Sequence, residues 1–163
     1  MGKKVFLLFL FIFVIQFGFS QTNTPIFDEF SAIVDFTVTF EDLYRHYSLK
    51  QGPPVPENKL IIIDGSIASI MVIDPEETSF IGELEVLNGR WVGLEDVEVY
   101  KCFVEVKGPN FFSRIPVRRT RKKLPDQIEV NSRVLIIGKI TGTRLDNDGN
   151  TIPVLEAAFI RDL

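Results

Sequence analysis

The chain has 163 residues, with 18 basic and 22 acidic side chains, one His and one Cys. That length suits a single domain, the lone Cys rules out an intramolecular disulfide, and the lone His rules out a His-rich metal site. A net charge of −4 argues against a generic polyanion binder, which should be basic.

The N-terminus reads as an export signal. Met1-Gly2-Lys3-Lys4 is a basic start, and Val5 to Ile15 is unbroken apolar sequence. Gly18 and Ser20 then put small residues at the −3 and −1 positions of a cut before Gln21. Those are the three parts of a secretory signal. The apolar run is too short to span a bilayer, which takes roughly 20 residues. An uncleaved anchor is the alternative, and the absence of Cys near the cut disfavours a lipoprotein. Loss of residues 1–20 removes Lys3 and Lys4, leaving 16 bases against 22 acids and a net charge of −6. The expected location is periplasmic or secreted.

Gln21 to Ser31 reads as a polar, then mixed, N-terminal arm. Thr39 to Tyr47 predicts a helix: Thr39 as N-cap, Asp42 three residues on, and Phe40, Leu43, Tyr44 and Tyr47 on one face. His46 falls on the other side and is expected in solvent. Gly52-Pro53-Pro54-Val55-Pro56 stops the helix. Residues 21–58 are therefore arm, helix and Pro-rich linker, and 59–163 form the main domain.

The rest predicts strands. Leu60 to Ile73 puts Ile61, Ile63, Gly65, Ile67, Met71 and Ile73 on one side, with Gly65 marking a bulge or bend. Asp74-Pro75-Glu76-Glu77 is a turn. Phe80, Gly82, Leu84 and Val86 alternate with Ile81, Glu83, Glu85 and Leu87. Asn88-Gly89 predicts the next turn, with Arg90 to Asp96 irregular and Trp91 in that loop. Val97 to Lys107 carries Tyr100, Cys102, Val104 and Val106 on one face, with Cys102 as a small buried hydrophobe. Residues 111–131 lack a period and predict a loop with at most a short helix. Arg133 to Thr141 has Val134, Ile136, Gly138 and Ile140 in phase. Thr151 to Ile160 puts Leu155, Ala157 and Phe159 on one side. Five mostly antiparallel strands with edges to manage predict an all-β fold: a five-stranded Greek-key barrel of the OB type with one short N-terminal helix.

Three segments carry a family resemblance: Ile61-Ile62-Ile63-Asp64-Gly65-Ser66-Ile67-Ala68-Ser69-Ile70, Val99-Tyr100-Lys101-Cys102-Phe103, and Val134-Leu135-Ile136-Ile137-Gly138-Lys139-Ile140-Thr141-Gly142. From the helix onward the chain resembles the bacterial, exported single-domain OB-fold proteins described as tRNA-anticodon-domain-like. The resemblance implies an OB barrel and, by analogy of fold, nucleic-acid binding, although fold does not fix function.

The chemistry-bearing residues are few. Arg114, Arg118, Arg119, Arg121, Lys122 and Lys123 put six cations into ten residues of an otherwise acidic chain. Such a cluster could bind phosphate, a lipid headgroup or an acidic glycan, or face the protein's own acids. Phe111 and Phe112 adjoin it, and Phe103 lies on the less apolar face of its strand. These nine residues are the candidate ligand-binding set, with Trp91 added if the surface faces another protein. Asp146-Asn147-Asp148-Gly149-Asn150 has the start of a calcium loop but lacks its Gly and Glu, and Asp-Gly favours a hairpin turn. Glu83, Glu85, Glu95 and Glu98 read as solvated acids of an exposed face. Nucleophile and phosphate-loop motifs are absent, so the sequence predicts no enzyme, no cofactor and no metal. It predicts an exported module for an anionic or protein partner of the envelope, with an interaction protein lacking a small ligand, or single-stranded nucleic-acid binding, as alternatives. Export argues against nucleic acid, no membrane span is expected after cleavage, and the oligomeric state is open.

Overall fold

The computed structural model describes residues 26–116 and 126–163. The expected signal peptide, and Arg118, Arg119, Arg121, Lys122 and Lys123, lie outside the described residues. The chain divides into two units, Met1–Phe30 and Ser31–Leu163. Apart from the first helix, which begins in the first unit, every described element belongs to the second.

In chain order the elements are α1 (Ile26–Ile33), β1 (Val34–Asp35), α2 (Phe40–Tyr47), β2 (Leu60–Asp74), β3 (Ile81–Val92), β4 (Asp96–Lys107), α3 (Pro109–Phe112), β5 (Arg133–Leu145) and β6 (Thr151–Asp162). The strands form one six-stranded sheet in the order β1-β2-β3-β4-β6-β5, and β2 also pairs with β5. Hydrogen bonding thus passes from β2 through β3, β4, β6 and β5 and returns to β2. The neighbours are antiparallel except β4–β6 and β1–β2. The expectation of five strands is corrected to six. β1 has two residues, pairing Val34 with Leu60 and Asp35 with Ile61, and leaves no alternation to read. Likewise α1, which begins in the expected arm and runs past it to Ile33, and the four-residue α3 join the one predicted helix.

Strand β2 serves two partners: Leu60 to Ser66 pairs with β5, and Ser66 to Asp74 with β3. Gly65 marks the changeover. A Cβ there would lie 2.7 Å from the Leu87 carbonyl oxygen and 2.8 Å from Val86 Cγ1, so only glycine admits this close approach. The bulge lies further on, where the register steps between Ile67 and Ser69 and Ala68 is skipped. One skipped residue inverts every later side chain. Ile61, Ile63 and Ile67 are accordingly buried, but Met71 and Ile73 are half exposed, contrary to the simple alternation, and Ile70 and Val72 pack against the core instead. The same device acts in β6, where Ile137 pairs with Phe159 and Gly138 with Ala157. Ala158 is skipped, Phe159 turns outward and Ile160 inward.

The Asn88-Gly89 turn does not form. β3 continues to Val92, every residue from Ile81 to Val92 pairs with β4, and the turn falls at 93–95. Gly93 has φ +76° there. An unbroken ladder with β-branched and aromatic cross-strand pairs outweighs a local turn preference. Trp91, expected in a loop, is therefore a strand residue.

Helix α2 forms as its sequence predicts. Thr39 and Asp42 make the capping box, and Phe40, Leu43 and Tyr47 are buried. His46 is half-buried, edge-on to Tyr47 at 4.8 Å, rather than free in solvent. The helix lies against β4 and β6. Inside the sheet, Phe80, Leu84, Val86, Val104, Ile136 and Leu155 are fully buried. Cys102 joins them as a free cysteine, and burial pushes its thiol far above the ordinary range.

Candidate functional site

In β3 and β4 the even-numbered residues from Gly82 to Val86 and from Tyr100 to Val106 point into the core, and the odd-numbered ones form the outer face. Cross-strand pairs on that face are Ile81–Lys107, Glu83–Glu105, Glu85–Phe103, Leu87–Lys101, Gly89–Val99 and Trp91–Val97. Both strands of the ladder run past their neighbours: β3 pairs with β2 only up to Leu87, and β4 with β6 only over Phe103 to Glu105.

Phe103, predicted as an open aromatic, is 9% exposed and packs with Ile152 and Val154 in a small second cluster. Arg144 of β5 covers it, its guanidinium carbon 4.1 Å from the ring centroid. That guanidinium also forks onto Glu83, with Nη1 donating to Oε2 at 2.5 Å and Nη2 to Oε1 at 2.6 Å. Glu83 is 5% exposed, so the expectation of a solvated carboxylate is corrected. A buried acid needs a partner, and Arg144 reaches it from across β6 and β4. The hydrogen bonds to Glu83 raise the Arg144 pKa.

The other cations of the face are paired too. Lys101 lies 3.2 Å from Glu85 and 3.3 Å from Asp146. Burial works against its charge, but those two hydrogen bonds outweigh it and the pKa is raised. Lys107 lies 2.6 Å from Glu156 and 3.0 Å from Glu105. Asp146 anchors the β5–β6 turn as predicted, its Oδ1 accepting from the backbone of Asn150 at 2.8 Å and of Asp148 at 3.0 Å. The Asn150 backbone bond is the main reason its pKa is lowered.

The β3–β4 tip is different. Trp91 is 70%, Val99 52% and Val97 45% exposed. On the opposite side of the ribbon, Arg90 pairs with Glu41 of α2 at 2.9 Å, and Arg45 of α2 lies 3.5 Å from Glu98. Glu98 thus faces the helix while staying exposed, as expected. Its pKa is lowered chiefly by the hydroxyl of Tyr100, which donates to it at 2.8 Å. Beside these pairs a groove of about 510 Å³ opens among Phe36, Val38, Ile62, Asp64, Asn88 and Arg90.

The other predicted site residues have structural work. Phe111 is 7% exposed in the core, and Phe112 meets Phe80 edge-on at 5.7 Å. Arg114 donates from Nη1 to the Ile160 carbonyl at 2.9 Å and from Nε to the Asp126 carbonyl at 3.1 Å, fastening the crossover to β6. These three do not assemble with Phe103. Arg144 was missed because it lies beyond the point where alternation in β5 becomes unreadable; its only sequence signal is a cation beside a turn.

No family model matches the chain, and no curated protein matches it. Among solved structures it is similar to a small single-stranded DNA-binding protein from Streptomyces coelicolor, with 13% identity and a TM-score of 0.40, covering 68% of this chain and 96% of that one. It is also similar to an aspartyl tRNA synthetase from Entamoeba histolytica, with 12% identity and a TM-score of 0.46, covering 87% of this chain and 23% of that one. This chain thus spans less than a quarter of the synthetase. Both printed names concern nucleic acid, against the expectation that nucleic acid is an unlikely partner, and that expectation is withdrawn.

Proposed function

We propose that this chain is an exported, non-catalytic binding module, that its five long strands close as an OB-type barrel with the two-residue β1 added at β2, and that the outer face of β3 and β4 is its contact surface. The circuit of pairings supports the barrel. Taking the five long strands in chain order, the second and third form the face that such barrels use for oligonucleotides and oligosaccharides. The observation that carries the reading is the outward row in which Trp91 stands 70% exposed beside Val97 and Val99. An indole in that position offers a stacking platform worth about 1–3 kcal/mol per base.

The ligand is an anionic polymer, with single-stranded nucleic acid the first to test. Arg118, Arg119, Arg121, Lys122 and Lys123, which lie outside the described residues, are the cations proposed for its phosphate contacts. A labelled oligothymidylate titrated into the full chain at low salt should bind and quench the single tryptophan. Trp91→Ala should weaken binding about tenfold. Replacing Arg118, Arg119 and Arg121 together by Ala should flatten its salt dependence. Absence of binding to both the oligonucleotide and an acidic glycan overturns the reading. Export has its own test: an extracytoplasmic product whose intact mass begins at Gln21 supports it, and a cytoplasmic product of full mass sinks it.

A second reading, an interaction protein of the envelope, is favoured by the tip itself. Leu94 is 97% exposed beside Trp91 and Val92, a patch of the kind that marks protein contacts. A strict monomer that enriches no partner from envelope extracts counts against it.

A further inference from the structure

We propose that the β5–β6 hairpin is a flap, hinged at Gly142 and Val154 and clasped over β4 by the Arg144–Glu83 and Lys101–Asp146 ion pairs, which opens to uncover Phe103, Ile152 and Val154. Ladder pairing supports the hinge. From Phe103 to Glu105, β4 pairs with Val154 to Glu156 of β6. From Pro153 towards the turn, β6 pairs only with β5. On β5 the register steps between Ile140 and Gly142, so the two strands part from the main sheet at the same level. Gly142 has φ +153°, a backbone angle that L side chains rarely adopt, and glycine is the residue that gives the chain this freedom.

Side chains alone hold the flap down. Arg144 crosses to Glu83 on β3 and lies over the Phe103 ring. Asp146, which organises the turn, reaches Lys101 on β4. Between the two clasps lies apolar surface: Ile152 is 1% and Val154 8% exposed, although both occupy the outer face with Phe103. Outer-face residues buried this deeply need a cover, and the hairpin with its arginine provides it together with Tyr44 of α2, which also packs on the cluster. The arrangement is bistable in the sense a switch requires: closed, the charges are paired and the cluster is dry; open, the cluster is free to meet a ligand. Flap opening can be read on the free protein whatever the β3–β4 face binds, so the test needs no ligand.

The test is amide hydrogen exchange of the full chain by mass spectrometry, on wild type, Glu83→Gln, Arg144→Gln and the charge swap Glu83→Arg/Arg144→Glu. The single variants should speed exchange at 143–153 and 101–103 by about tenfold while 61–67 stays unchanged. The swap should recover part of the protection, and 0.5 M salt should speed the same segments in the wild type, since a half-exposed clasp is screened. Unchanged exchange at 143–153 in both single variants and in salt overturns the proposal. Equal acceleration of 61–67 does so as well, because the pair would then support the whole sheet rather than a flap. Should a single variant fail to fold, the salt series on wild type decides alone.

Discussion

The two hairpins, β3–β4 and β5–β6, both run past their neighbouring strands, and both are tied down by ion pairs, yet they present opposite faces to water. The β3–β4 tip is held by its charged side, with Arg90 on Glu41 and Glu98 near Arg45 of α2, and its apolar side stays open. The β5–β6 tip is held by Arg144 and Asp146 across β4, and its apolar residues are shut in. Apolar alternation alone therefore does not decide what a strand buries. The position of the counter-charge that pulls the hairpin over does.

The sharpest way to break this contrast is to cut the apolar residues on each side. Ile152→Ala should cost about 3 kcal/mol, the usual loss for a buried isoleucine, while Val97→Ala should stay within about 0.5 kcal/mol; urea unfolding of both measures the gap. If Ile152→Ala also stays within about 0.5 kcal/mol, the second cluster contributes no packing. The next effect comes from the ion pairs. Arg144→Ala leaves Glu83 buried without its partner and should cost about 2 kcal/mol. Arg90→Ala cuts a pair whose arginine is half exposed and should cost less than about 0.5 kcal/mol. Comparable losses would mean that Glu83 rehydrates freely.

The smallest effect is in pH, where the hairpins should behave alike. Asp146 and Glu98 are both held below the ordinary carboxylate range, Asp146 mainly by the Asn150 backbone and Glu98 mainly by the Tyr100 hydroxyl. A carboxylate depressed in the folded state stabilises above its unfolded value, about pH 4, and that stability fades as pH falls through the folded value. The difference in Tm between wild type and Asp146→Asn should therefore be present at pH 6 and shrink steadily below pH 4. The same series with Glu98→Gln should run parallel, and a gap that persists at pH 2 would show that charge is not the cause.

How much of this was legible depended on whether the signal was local. The Thr39–Asp42 capping box and the α2 face follow from neighbours in sequence. The alternation from Phe80 to Val86 and from Val134 to Ile140 survives intact. Alternation failed at Ala68 and Ala158, since alanine gives no hint of a skipped residue, so Met71, Ile73 and Phe159 were placed on the wrong side. Asn88-Gly89 misled because its turn preference loses to the ladder opposite Val99 and Tyr100. The candidate site was least legible. The roof over Phe103 comes from Arg144, on another strand, and only the fold sets that proximity. The basic run 114–123 was the clearest feature in the sequence, yet its described member, Arg114, serves the crossover.

The double partnership of β2 has a consequence for how the molecule forms. The β2–β3–β4 meander and the β5–β6 hairpin join strands adjacent in the chain, but Leu60 with Lys139 and Ser66 with Arg133 are the pairings of longest sequence separation. Loop-closure entropy must be overcome before such contacts give anything back. We expect the two local pieces to assemble early and the β2–β5 seam to close after the rate-limiting step. In stopped-flow measurements, Leu84→Ala in the meander should slow folding, while Ile136→Val in the seam should leave folding untouched and speed unfolding. The seam would then set how long the finished molecule lasts rather than how fast it is made.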